Sequence, residues 1–154
     1  MLFDFDLEFV IIKIEKLRGK DMTKIAVLSD IHGNTTALEA VLADAQKAGV
    51  DEYWLLGDIL MPGTGRKNIL QRLDTLPITL RVLGNWEDSL WRACHRKLDE
   101  SRPSHRYLLR QCQYIMEEIS SQEIEALQNY PLQVHRQFGN LKLGISHHLP
   151  DKNW

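Results

Sequence analysis

Three short apolar runs, each ending in a polar dipeptide and each followed by helix-forming sequence, constrain this chain more than any other feature in it. The first, Lys24 to Ser29, is aliphatic with β-branched members and reads as a buried strand ending at Asp30. Asn34 then suits an N-cap for a helix over Thr35 to Lys47, where Ala37, Leu38, Val41, Leu42 and Ala45 recur at helical spacing until Gly49 stops the pattern. The unit recurs in outline. Glu52 to Leu56 is a second strand running into Gly57-Asp58, and a glycine-containing loop from Met61 to Gly65 leads to a helix from about Arg66 to Leu73. Pro77 to Leu83 is a third strand, running into Gly84-Asn85. Strands alternating with helices predict an α/β fold with a largely parallel sheet covered by helices.

From Trp86 to about Gln128 the pattern becomes helical throughout. Pro103 divides this helical excursion, and Ser120-Ser121-Gln122-Glu123 offers a capping box for its last piece. Leu132 to Phe138 and Leu141 to Ser146 flank Gly139-Asn140 and read as a hairpin leading into His147-His148. Met22-Thr23-Lys24 before an apolar strand is how an α/β domain commonly opens. Residues 1–21 are therefore expected to be a non-native or mis-annotated leader, with the domain proper at 22–154.

At 154 residues, 44% hydrophobic and 26% charged, the chain has length for one domain with a sizeable core. Its formal charge of -2, with no basic tract interleaved with aromatics, argues against a nucleic-acid partner. The apolar run Phe9 to Ile12 is far too short to span a bilayer, and acids precede it, so no membrane role and a cytoplasmic location are expected. Cys94 and Cys112 lie far apart in polar sequence and are expected to be reduced thiols.

The polar residues at the strand ends are Asp30 and His32, Asp58, Asn85 and, after the hairpin, His147. If Asp30 and His32 continue the extended strand, their i and i+2 spacing points both side chains the same way. The carboxyl ends of parallel strands converge on one crevice, so all of these donors are expected to share a rim. Carboxylates can bridge ions, imidazoles suit iron, zinc or manganese, and the asparagine carbonyl adds a ligand without charge. Gly57 and Gly84 are expected to let the backbone turn tightly there.

Asp30-Ile31-His32, Gly57-Asp58, Gly84-Asn85-Trp86-Glu87 and His147, taken in order, resemble the calcineurin-like metallophosphoesterase superfamily, in particular its small bacterial phosphoesterases. The resemblance runs from Met22 to the C-terminus. It implies a four-layer αββα sandwich, two sheets flanked by helices. It also implies two divalent ions (Mn, Fe or Zn), with Asp30 and His32 on one, Asp58 bridging, and Asn85 and His147 on the other. The implied reaction is hydrolysis of a phosphate mono- or diester, such as a phosphorylated small molecule, by metal-activated water. His147 aligns as the ligand, and His148 falls where the family often has glycine.

Two departures from the family pattern stand out. Trp86 replaces a histidine thought to assist the leaving group, and indole does not shuttle protons at neutral pH. The catalytic acid is therefore unassigned, and aryl esters are expected to be preferred. The family's closing Gly-His-x-His motif is also not in this sequence, so the chain is expected to be a C-terminally truncated domain, its sandwich incomplete and its activity impaired. The competing reading is a noncatalytic remnant or binding protein. A nuclease or cyclic nucleotide phosphodiesterase with the same metal site is a third.

Elsewhere, His95, His105 and His135 are expected at the surface and Trp54 and Trp91 in the core. The charged run Arg92 to Arg110 is expected to be a solvated helical face, although such an excursion can roof the site in this family. Gly63-Thr64-Gly65 lacks the lysine and hydroxyl of a phosphate-binding P-loop and is expected to be a flexible loop at the site rim.

Overall fold

The computed structural model describes residues 8–15 and 22–148. Two strands open the chain, β1 (Glu8–Glu15) and β2 (Met22–Ser29), followed by α1 (Thr35–Ala48), β3 (Glu52–Leu55), α2 (Lys67–Asp74) and β4 (Ile78–Arg81). The helical excursion resolves into α3 (Asn85–His95), α4 (Pro103–Met116) and α5 (Ser121–Gln128), and the hairpin into β5 (Gln133–Phe138) and β6 (Leu141–Ser146). The strand order is β1-β2-β3-β4, with β2, β3 and β4 parallel. β1 lies antiparallel to β2, from Glu8 opposite Ser29 to Glu15 opposite Met22. The stretch set apart above as a leader thus includes a strand on the sheet edge.

Local chemistry accounts for the element ends. The Asn34 side chain accepts from the Ala37 N–H and caps α1, and Gly49 closes that helix in a left-handed conformation. Pro103 opens α4 at the first helical position, where no N–H is needed. Ser120 and Glu123 form the expected reciprocal box at α5.

Alternation along the strands divides the core in two. Ala26, Leu28, Tyr53 and Leu55 face a helical layer that includes Leu38, Leu42, Ile69, Leu90, Ile115 and Leu127. Ile25 and Trp54 face the other way, with Val27 and Leu56 beside them, onto Ile145, Val134, Phe138 and Leu143 of the hairpin. The period of two in a strand places neighbouring residues in different cores, which is why these strands are apolar throughout. Buried residues of all five helices belong to the first cluster, so the described residues form three of the four expected layers: helices, parallel sheet and a two-stranded second sheet.

Cys94 and Cys112 are corrected by the structure: they are joined as a disulfide, with Cα atoms 5.8 Å apart. The reason is tertiary. α3 packs on α4, which brings together positions 18 residues apart in sequence. His95 and His135 are exposed, His105 is half-buried with its Nδ1 accepting from the Asp99 N–H, and Trp54 is a core residue. Among the described residues no helix is long and apolar enough to cross a membrane.

Candidate metal centre

Where β2, β3 and β4 end, three backbone segments come together. The Leu56 N–H donates to Leu28 O and the Val82 N–H to Leu55 O, continuing the ladders to the last residues before the polar turns. The Asp30 N–H then reaches Gly57 O and the His32 N–H reaches Asp58 O at 2.8 Å, lacing the first turn to the second. Gly57 has a φ of +88° and packs directly against the backbone of Gly84, where a Cβ on either residue would overlap main-chain atoms. The expected tight turn is therefore one close contact between two glycines.

Asp30, His32 and Asp58 have φ of 57°, 48° and 56° and are the non-glycine residues in the left-handed region among those described. Each such conformation costs roughly 1–3 kcal/mol and persists where the surroundings impose it. This corrects the expectation that Asp30 and His32 align by strand alternation: β2 stops at Ser29, and a left-handed turn aims both side chains into the cleft. The buried polar side chains among the described residues are His32, Asp58 and Glu87, all at this junction.

All five expected donors meet here. His32 Nε2 lies 3.4 Å from Asp30 Oδ1 and 3.8 Å from Asp58 Oδ2. His147, delivered by the end of β6, places Nε2 3.0 Å from Asn85 Oδ1 and 3.3 Å from the same Asp58 oxygen. Asp58 is thus central, with its other oxygen held at 2.9 Å by the Trp86 N–H at the start of α3. Asp30 Oδ2 accepts from the Ser29 hydroxyl at 2.6 Å. With Trp86 and His148 these donors line a cleft of about 600 Å³. His148 stacks edgewise on His147 at 4.2 Å, while His147 makes the contacts to Asn85 and Asp58. No residue of the run 92–110 lines the cleft, so the charged excursion does not roof it.

Both imidazoles are fixed from behind. His32 Nδ1 donates to the carbonyl of Met61 and His147 Nδ1 to that of Leu56, so each turns Nε2 toward the carboxylates. Burial alone would lower the His147 pKa, but its hydrogen bond and charge contact with Asp58, the Leu56 carbonyl and the charge of Asp30 outweigh it and raise the value to about 9. Its Nε2 thus faces two oxygen acceptors, Asn85 Oδ1 and Asp58 Oδ2.

Glu87 had no role assigned from sequence. Its Oε2 accepts the N–H groups of Asp58 (2.8 Å) and Gly84 (3.0 Å), and its Oε1 that of Ile59 (2.7 Å). Burial pushes its pKa up, the Ile59 N–H pulls it back, and the nearby Asp58 charge adds to the rise. It belongs to the Gly84-Asn85-Trp86-Glu87 stretch that carries the resemblance, and as the third residue of α3 it reaches back to the Gly84 N–H. Gly63 and Gly65 also differ from expectation. They pack behind His32 and Gly33 rather than on the cleft rim.

The donor set fits a divalent ion. One ligand atom from each of Asp30, His32 and Asp58 lies within 4.8 Å of the others, in a mixture of imidazole and carboxylate suited to manganese, iron or zinc. Fold and site together define an α/β protein with a candidate metal centre at the carboxyl ends of its parallel strands.

The chain belongs to the calcineurin-like phosphoesterase superfamily, whose domain profile matches residues 23–153. A metallophosphoesterase from Sphaerobacter thermophilus is similar over 73% of this chain and 43% of its own, at 31% identity and a TM-score of 0.53. A hypothetical protein from Pyrococcus horikoshii OT3 shares the fold over 78% of this chain and 52% of its own, at 16% identity and a TM-score of 0.57. An uncharacterized protein of Methanocaldococcus jannaschii is 41% identical over 61 residues, 40% of this chain and 25% of that protein. The chain thus spans about half or less of the length of each of these relatives.

Proposed function

We propose that this chain is the metal-holding part of a phosphoesterase that hydrolyses phosphate mono- or diesters, with Asp30, His32 and Asp58 at one divalent ion and Asp58, Asn85 and His147 at a second. The observation that supports this most is Asp58. It is 2% exposed, one oxygen is fixed by a main-chain N–H, and the other lies between two imidazoles that approach from opposite ends of the chain. Divalent ions, when bound, would draw charge from phosphoryl oxygens and lower the pKa of a water nucleophile. The protein's own share is orientation. Main-chain carbonyls set the tautomer of both histidines, and Ser29 and the Trp86 N–H hold the carboxylates.

The side chain of Trp86 stands edge-on to His32 at 6.2 Å and lines the cleft. It brings an apolar face and no exchangeable acid, so the reading favours esters whose leaving group departs with little protonation. The test is manganese-dependent hydrolysis of 4-nitrophenyl phosphate, its bis-ester and an alkyl phosphate, by this chain and by a form extended at its C-terminus to family length. Turnover is expected for aryl over alkyl esters, and Asp30→Asn should abolish it while circular dichroism is unchanged. Manganese binding without hydrolysis in both forms would favour the second reading, a noncatalytic binding protein, for which Trp86 is the supporting observation.

A further inference from the structure

His32 carries the carbonyl contact that sets its tautomer on a loop that does not itself touch the cleft. Met61 O accepts from His32 Nδ1, and the four residues after Met61 run directly behind the Asp30–Gly33 turn. The Gly65 N–H donates to Gly33 O at 2.8 Å, and a Cβ on Gly63 would fall on the carbonyl oxygen of His32, so the loop and the turn are in backbone contact. Such close packing passes a displacement of the loop straight to the imidazole.

The other side of the loop is gripped by α4. Tyr114 Oη donates to Thr64 O at 2.9 Å. Arg66, next after the loop, sends Nη1 to Tyr114 O at 3.0 Å and to Glu117 Oε2 at 2.5 Å, and pairs through Nη2 with Glu118. Its guanidinium lies 4.2 Å from the centroid of the Tyr114 ring. Tyr114 O is one of the terminal carbonyls of α4 that no helical N–H can satisfy, and a cation there also meets the negative end of the helix dipole. Several weak contacts thus converge on one short loop from one helix end.

We infer that Tyr114 and Arg66 are positioning residues for the metal centre, acting through the Thr64 and Met61 carbonyls to hold His32 with Nε2 aimed at Asp30 and Asp58. The helical excursion then serves the site from behind instead of roofing it. This rests on the metal-site reading above, so the test separates the two.

In the full chain, Tyr114→Phe keeps the ring under Arg66 and removes only the bond to Thr64. Groups that contact a metal ligand directly are worth about 10- to 100-fold in affinity, so this more distant loss is expected to weaken manganese binding about 3- to 10-fold, read by electron paramagnetic resonance of free Mn²⁺. In the metal-free protein, the Nδ1 chemical shift of His32 should move as its bond to the Met61 carbonyl loosens. Tyr107→Phe, on an exposed part of the same helix, should change neither. Unaltered affinity and unaltered His32 shifts in Tyr114→Phe would overturn the inference. If the unmodified chain binds no manganese but Tyr114→Phe still shifts His32, the positioning role stands and the metal-site reading falls.

Discussion

At the scale of single residues, His147 is held by a contest between burial and charge, and the charge of Asp58 wins. A histidine whose folded pKa is raised from 6.5 to about 9 stabilises the fold fully below 6.5 and loses that contribution as pH rises through 9. Without metal, the melting temperature of the chain should therefore fall between pH 7 and about 9.5, and His147→Gln should flatten that slope. On the proposed metal-site reading, a divalent ion at His147 would displace the same proton. Apparent manganese affinity should rise over the same window, with proton release measurable by calorimetry in two buffers of different ionisation enthalpy. A pH-independent melting temperature in the metal-free chain would contradict the assignment of the proton to His147.

At the scale of elements, the junction of β3, β4 and α3 depends on one carboxyl group. Glu87 receives main-chain N–H groups from both strand ends, and Glu87→Gln would turn an N–H₂ toward at least one of them. A buried donor left unpaired costs about 1–3 kcal/mol, more where an ion is involved, so a loss of about 2 to 4 kcal/mol in urea unfolding is expected. The strands, helices and hairpin were legible because each is written in a local pattern: period two, period 3.6, Asn34, Pro103, Ser120 and Gly139-Asn140. All five residues of the candidate site were legible because each follows a strand or begins a helix within a few residues of a glycine. What was not legible is what main-chain atoms do at long range. The Met61 and Leu56 carbonyls carry no side-chain signal, and Glu87 acts on residues 28 and 29 positions away. The Cys94–Cys112 bond likewise follows from helix packing, which spacing alone does not encode.

At the scale of the whole molecule, the site is assembled by a sandwich. His147 lies 118 residues from Ser29, and it arrives at Asn85 and Asp58 only because the β5–β6 hairpin docks on the far face of the parallel sheet. The docking surface is small: Ile145 is the one hairpin residue in the buried part of that cluster, Phe138 stacks on Trp54 at 6.2 Å, and Arg136 donates to Thr79 O at 3.1 Å. Ile145 is two residues from His147, so the side chain that anchors the hairpin also sets the reach of the imidazole. Replacing it with alanine removes buried methyl groups where the sheet cannot close the gap, and costs of about 2–5 kcal/mol are usual for that change in a core. The helical layer and the Asp30–His32 turn share none of those contacts, since they belong to the other core. On the two-ion reading proposed above, Ile145→Ala should therefore loosen the hairpin and lower the manganese stoichiometry toward one, leaving an ion at Asp30, His32 and Asp58 with near-normal affinity. Equal weakening at both positions would mean that the two cores are not energetically separate.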